Sequence, residues 1–559
     1  MLFDYAYVHL TEVPRRCVMA AEPWERFNGC EYLLDRHVEA GDGARLAITG
    51  VGGPLTYAQL LDRVQRTAAG LRELGLQPEQ RLVMSMADSP AFVAVYLAAM
   101  RIGAVPVPVS TMLHADGLAE LLRDSRARML AVTPQFFGLV AEAAAAAPEL
   151  QGVLAAGGAL PAAAAVPVPV PVPVHDLDAL LAAAVPLAAV YPTTTDFPAF
   201  WLYTSGTTGK SKGAMHRHGS VRVVCETYGT QVLGIRPEDR CLSAAKAFFA
   251  YGLGNSLLFP LSAGAVTVLE PAPAGPEVVA HRVREYGVTL FFAGPTFFAT
   301  MLRAGLPADA LAGVRLAASA GEALPAALYQ RWTSHFGVDI LDGLGMTEML
   351  HIFLSSREGQ MRPGTTGVAV PGYELKILDE AGVAVPVGTA GTLFVQGESA
   401  ATGYWSSYEA SRLVFQGEWL RTGDTYVQDT DGYYICLGRT GDMLKASGAW
   451  VSPAEVEDRL LAHEAVAQAI VVAGLDPDGL EKPVAYVVLR PGAVATEAEL
   501  IGFCRAGLPA YKRPRRVVFA DAYPTTATGK IRRVELREMA ATVLRPAETA
   551  TAPSPQLAE

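Results

Sequence analysis

Apolar and polar positions alternate with two periods along most of this chain. In Thr56-Tyr-Ala-Gln-Leu-Leu-Asp-Arg-Val-Gln-Arg-Thr-Ala-Ala-Gly-Leu-Arg-Glu-Leu-Gly75, residues Leu60, Val64, Leu71 and Leu74 recur at helical spacing. Thr56 with Gln59 has the form of a capping box, and Gly75 stands where a helix stops. Short apolar runs bounded by turn residues, Leu82–Met86, Ala199–Tyr203 and Val288–Phe292, predict buried strands. Helix and strand signals alternating in this way predict an α/β protein. Near residue 440 the character changes. Ser452-Pro453-Ala454-Glu455 predicts a capped helix with a capping-box Glu, and Val466–Val472 and Val484–Leu489 predict strands after it. This suits a small α+β domain of about 120 residues. Between Ala155 and Val174 the sequence becomes Ala/Gly-rich and then alternates Val with Pro. Alternating Pro forbids a central strand and predicts an extended surface excursion. The stretch Thr549–Glu559 predicts a disordered tail.

The length of 559 residues exceeds one ordinary core, so two or more domains are expected. With 51% hydrophobic and 18% charged residues, the composition is that of a globular enzyme. A net charge of -11 argues against a general nucleic-acid footprint, so anionic ligands would need local basic and backbone N–H sites. Six scattered cysteines with no CxxC pair suggest neither a disulfide scaffold nor a zinc site. The first residues lack the basic and apolar regions of a signal peptide. No uninterrupted run of about 20 apolar residues predicts a membrane span. A cytoplasmic location, with no membrane and no nucleic acid as partner, is the expectation.

The strongest local chemistry is Tyr203-Thr-Ser-Gly-Thr-Thr-Gly-Lys-Ser-Lys-Gly213, directly after a predicted strand. Glycines let backbone approach a ligand closely, while Thr204, Ser205, Thr207, Thr208, Lys210 and Lys212 supply hydroxyls and charge. Such a segment can cradle a triphosphate. It is not a Walker A loop, because the residue five after Gly206 is Ser211. Further motifs follow in order: Gly321-Glu-Ala, Gly343-Leu-Gly-Met-Thr-Glu348, Arg421-Thr-Gly-Asp424, Gly438-Arg439 and Pro524-Thr-Thr-Ala-Thr-Gly-Lys530. Together they resemble the adenylate-forming superfamily of acyl-CoA synthetases, adenylation domains and luciferases, from about Trp24 to Arg537.

That resemblance implies a large multi-sheet N-terminal domain, residues 1–438, and a mobile α+β lid, residues 439–540, with residues 541–559 as a tail. It implies ATP, Mg²⁺ and coenzyme A as ligands. Thr204, Ser205, Gly206, Thr207, Thr208, Gly209 and Lys210 would cradle the phosphates. Glu322, Ala323, Asp342 and Gly343 would line the adenine slot, with Arg439 also in the nucleotide site. Thr347 would bind the α-phosphate, Glu348 would hold Mg²⁺, and Asp424 would accept from the ribose hydroxyls. Lys530 would serve adenylation. Lys445, with Ser447 and Gly448, would serve CoA capture after the lid turns about Gly441. This hinge position usually carries Asp or Lys in the family.

Ser243–Asn255 and Gly345–Leu354 resemble the benzoate–CoA ligase branch, anthranilate ligases included. Its acid pocket corresponds to Ala250, Tyr251, Gly345, His351 and Ile352, small residues beside an aromatic wall. His351 reads equally as a core histidine or as a group near the ring or carboxylate. Phe248 and Phe249 read as core packing. Ala247 and Met346 depart from the branch, so benzoate, anthranilate and hydroxybenzoates all stay open. An enzyme loading a carrier-protein pantetheine is the alternative to a CoA ligase. A non-catalytic protein on a degenerate ligase fold is disfavoured, because Lys530, Asp424 and Glu348 are all present. A homodimer and a downstream carrier-protein or acyltransferase partner stay open as well.

Overall fold

The computed structural model describes residues 25–156, 170–205, 211–273, 275–446, 449–476, 480–525, 531–541 and 543–544. The phosphate-loop residues Gly206, Thr207, Thr208, Gly209 and Lys210 lie outside them, as do Ser447, Gly448, Lys530, most of the Pro/Val insert and the tail. So do the side chains of Ser205 and Lys445.

The first predicted helix forms over Tyr57–Glu73. Thr56 and Gln59 make the reciprocal capping box, and Gly75 follows with φ 87°. The predicted strands appear as Arg81–Ser85, Pro198–Ser205 and Leu290–Ala293. One five-stranded sheet is wholly parallel, in the order Val105–Pro108, Arg81–Ser85, Met129–Val132, Gly152–Ala155, Val174–Asp176. The Pro/Val insert therefore connects two neighbouring parallel strands at a sheet edge.

A nine-stranded sheet runs Val368–Ala369, Ile352–Ser355, Ile340–Gly345, Leu316–Ser319, Leu290–Ala293, Arg240–Ser243, Val266–Leu269, Leu46–Gly50, Leu55–Thr56. Its central pairs are parallel, and both end pairings are antiparallel. Its strands Leu290–Ala293, Leu316–Ser319 and Val266–Leu269 are buried at every position, as expected for a sheet covered on both faces. A third, antiparallel sheet carries the long strand Trp419–Gln428 between Gly391–Gln396 and Tyr434–Arg439. Inside the main core, Arg101 is fully buried and forks onto Asp35 at 2.8 and 2.9 Å, while donating to the Leu187 carbonyl. A buried charge of this kind is tolerated only when so fully paired.

The C-terminal region folds on its own small core. Strands Val466–Leu475, Glu481–Leu489 and Arg516–Phe519 form its sheet, against the helix Pro453–Leu461. Ser452 caps that helix as predicted, accepting from Glu455 N at 3.3 Å. The expected capping-box role of Glu455 fails, because its carboxylate is drawn to Lys512 Nζ at 2.6 and 2.8 Å. An ammonium offers a carboxylate more than a single backbone N–H does. Among the described residues no helix is long and apolar enough to cross a membrane.

Candidate active site

The phosphate-loop hairpin pairs Pro198–Ser205 with Ser211–Arg217, placing Thr204 opposite Lys212 at the mouth of the turn. Two further segments are bound to this hairpin. Met215 N donates to the Gly403 carbonyl at 3.0 Å and Trp405 N to the Gly213 carbonyl at 2.9 Å, which lays residues 401–405 along its second strand. His216, on the same strand, contacts the Thr347 carbonyl through Nε2 at 2.8 Å. Burial pushes the His216 imidazole down to about 4, so it is neutral at physiological pH and Nε2 donates. Its Nδ1 is buried without a partner.

Thr347 and Glu348 sit on a short turn, Thr347–Met349, directly after the strand Ile340–Gly345. Glu348 is 7% exposed, and its carboxylate accepts from the Tyr404 hydroxyl. Ala401 N donates to the Glu348 carbonyl at 2.8 Å. The Lys212 ammonium lies 5.6 Å from the Tyr404 ring centre. Tyr404 thus stands between Lys212 of the predicted phosphate loop and the predicted metal carboxylate. Neither Tyr404 nor His216 was singled out from sequence. Neither had a local signal: His216 stands in a mostly polar stretch, Ser211–His218, and the partner of Tyr404 is 56 residues away.

Glu348 is compatible with Mg²⁺. It is a hard oxygen donor, and only one of its oxygens is taken up by Tyr404. No group of three or more His, Cys, Asp or Glu suited to a metal exists among the described residues.

Asp424 lies on the strand Trp419–Gln428, buried, with Arg439 Nε 3.1 Å from its Oδ1 across the ladder. Asp342 lies within the buried part of the strand Ile340–Gly345, and its Oδ1 has no partner. Burial pushes its carboxyl up to about 7, against the backbone N–H groups of Leu324 and Gly343. Glu322 and Ala323 lie exposed in the loop after Leu316–Ser319, where Glu322 accepts from the Thr296 hydroxyl at 2.9 Å. Burial opposes the charge of Arg533, but Glu457, then Asp442 and Glu322, outweigh it and keep the guanidinium protonated.

The residues expected around the acid converge. Tyr251 donates through its hydroxyl to the Ala318 carbonyl at 2.7 Å, and its own carbonyl lies 3.3 Å from His351 Nε2. His351 packs edge-on against Phe259 at 4.6 Å and beside Tyr228 and Tyr251 at 5.3 and 5.5 Å. Burial pushes its imidazole down to about 3, leaving it neutral, and Nδ1 is unpartnered. Ile352 is buried beside it, and half-buried Ala250 opens the helix that carries Tyr251. Gly345 has a second role. A Cβ there would stand 2.7 Å from the His351 carbonyl oxygen, so the absent side chain admits backbone as well as leaving space. Phe248 is buried against Phe249, with centroids 4.5 Å apart, as core packing requires. Gly441 lies in the turn after Arg439, and its carbonyl accepts from Arg537 at 3.2 Å. It does not use glycine's left-handed region, and a Cβ there would meet nothing within 4 Å.

Comparison with known proteins joins these parts. Residues 34–405 match the family described as AMP-binding enzyme, and residues 455–530 match its C-terminal domain. The chain is 42% identical over 519 residues to a benzoate–CoA ligase of Thauera aromatica, covering 92% of this chain and 96% of that one. Against a 4-hydroxybenzoate–CoA/benzoate–CoA ligase of Rhodopseudomonas palustris it is 39% identical, over 92% and 95%. A crystal structure of a benzoate CoA ligase from Burkholderia xenovorans superposes with a TM-score of 0.83 at 40% identity, over 91% of this chain and all of that one. An anthranilate CoA ligase in complex with anthranoyl-AMP gives 0.85 at 35%, over 92% and 98%. With both the N-terminal and C-terminal parts matched, and relatives aligned over nearly their full length, the chain belongs to the AMP-binding enzyme family.

Proposed function

We propose that this protein is an ATP-dependent aryl-CoA ligase acting on a benzoate-type acid. The observation that carries the reading is 42% identity to a benzoate–CoA ligase over 519 residues, 92% of this chain. A carboxylate oxygen attacks the α-phosphorus of ATP, pyrophosphate leaves, and an aryl-adenylate forms. The CoA thiol then attacks the acyl carbon, its proton passes to solvent, and AMP leaves. Both partners of the first step are anions, so the site must neutralise charge and align them. Thr347, held through its carbonyl by His216, meets the α-phosphate, and Asp424 accepts from the ribose hydroxyls. Glu348, oriented by Tyr404, would hold Mg²⁺, which when bound would supply charge neutralisation at the phosphates. Lys530 serves this step and Lys445 the second.

Benzoate, anthranilate and the hydroxybenzoates share the slot bounded by Tyr251, His351, Ile352, Ala250 and Gly345. Residues 1–438 form the N-terminal domain, 439–540 the lid that turns about Gly441, and 541–559 a tail. The protein works in the cytoplasm. Pyrophosphate release with a panel of benzoates, with and without CoA, tests the reading. Release with benzoates and far less with long-chain fatty acids is expected, and equal turnover of benzoate and palmitate refutes it. A carrier-protein pantetheine in place of CoA is a second arm of the same assay.

A further inference from the structure

The cleft between the helix Ala326–Phe336 and the C-terminal domain takes no part in the chemistry above. It is a cavity of about 580 Å³, walled by Arg331 and His335 on one side and by Leu461, Ala462 and Arg490 on the other. Each arginine ties one N–H to its own neighbourhood: Arg331 Nε to Ala327 O at 3.3 Å, and Arg490 Nε to Val466 O at 3.2 Å. Their remaining donors are left for the cleft. Arg303, at the end of the adjacent helix Pro295–Arg303, lies close enough for its charge to be felt at Arg331. Burial, then the like charges of Arg490 and Arg303, lower the affinity of Arg331 for its proton, and no carboxylate offsets them. None of the ion pairs among the described residues takes Arg303, Arg331 or Arg490. Other inward-facing arginines are either paired with a carboxylate, as Arg101 is with Asp35 and Arg315 with Asp239, or spend several donors on backbone carbonyls, as Arg357 does on Ser355, Ser356 and Ala369.

Two like charges, Arg331 and Arg490, facing one cleft across a domain boundary oppose that approach of the domains. A polyanion between them reverses the sign, and guanidinium forks match phosphate oxygens in pairs. We propose that this cleft binds a phosphate-bearing polyanion, and that its occupancy holds the C-terminal domain in the position seen here. The walls belong to different domains, so a ligand touching both favours the pose in which both are within reach. The ligase reading enters only through the choice of probes: free pyrophosphate, or the phosphates of CoA.

Calorimetric titration of each probe separately into wild type and the Arg331→Gln/Arg490→Gln double variant tests the site. For whichever probe occupies the cleft, the dissociation constant should rise about tenfold or more, the scale of losing one charge-assisted contact. That probe then names the source. Adenylation with acid and ATP and no CoA should be unchanged, because neither arginine belongs to the catalytic machinery. The Arg331→Lys/Arg490→Lys variant keeps the charge but loses the paired fork, so it should bind more tightly than the Gln variant and more weakly than wild type. With spin labels at Val383→Cys and Val494→Cys, exposed at 61% and 86%, the same probe should narrow the interdomain distance distribution only when the arginines are present. If neither probe binds, or if both bind wild type and the Gln variant equally, the proposal is wrong.

Discussion

Tyr404→Phe isolates one hydrogen bond at the centre of the site. The ring keeps its edge-on contact with Phe415, at 5.4 Å, and its place against Ala214 and Ala401, so no cavity opens. What is lost is the donor to Glu348, a carboxylate only 7% exposed. Hydrogen bonds to charged groups contribute about 1.5–3 kcal/mol, and burial leaves little water to replace this one. Glu348 is then free to leave the rotamer in which Tyr404 holds it. If that orientation matters in the transition state, kcat/KM for ATP in adenylation should fall about 10–100-fold, equivalent to about 1.4–2.7 kcal/mol. The KM for the acid should change little, because the slot around Tyr251 and His351 is built from other segments. The assay is pyrophosphate release with benzoate across a Mg²⁺ titration, where the variant should need more Mg²⁺ to reach half its maximal rate. Wild-type kinetics at every Mg²⁺ concentration would show that Tyr404 is only packing.

Three other outcomes follow from the site. Asp424→Ala should raise the dissociation constant of ATP about 100-fold, from two lost charge-assisted hydrogen bonds, while sparing the acid; direct nucleotide titration checks it, and an unchanged constant makes Asp424 a ladder residue paired with Arg439. For Asp342, with a carboxyl pushed up to about 7 from 3.8, the folded state binds the proton more tightly, so its contribution to stability is full below about pH 4 and is lost as pH rises through 7. Asp342→Asn should therefore gain on wild type by about 1.4 kcal/mol per pH unit across that window and level off above it; thermal midpoints of both proteins from pH 4 to 8 measure this, and parallel curves refute it. Lys530→Ala should slow adenylate formation by about 10²–10³-fold and spare thioester formation from supplied aryl-AMP, and Lys445→Ala should do the reverse. Assaying the half-reactions separately decides, and equal damage to both steps by both variants excludes the division of labour.

Local signals in the sequence determined those parts of the protein whose physical cause is local. Thr56 and Gln59 lie three residues apart, so their capping box needed no tertiary partner, and the helix after them formed where expected. The strands around residues 82, 200 and 290 are buried apolar runs bounded by turns, and they appeared within two residues of their predicted limits. The order of the glycine, hydroxyl and acidic motifs carried the family, because close backbone approach and charge neutralisation restrict which residues can stand at those positions. The tertiary structure alone decided whatever joins residues distant along the chain. Glu455 had the spacing of a capping residue, but folding placed Lys512 beside it, and the stronger charge interaction won. Gly345 read as space for a ring, yet strand pairing brings the His351 carbonyl to the place its Cβ would take. His216 and Tyr404 gave little or no sign of the residues they hold, since Thr347 and Glu348 lie 131 and 56 residues away. Sequence periodicity records which face of an element is buried, but not which element will cover it.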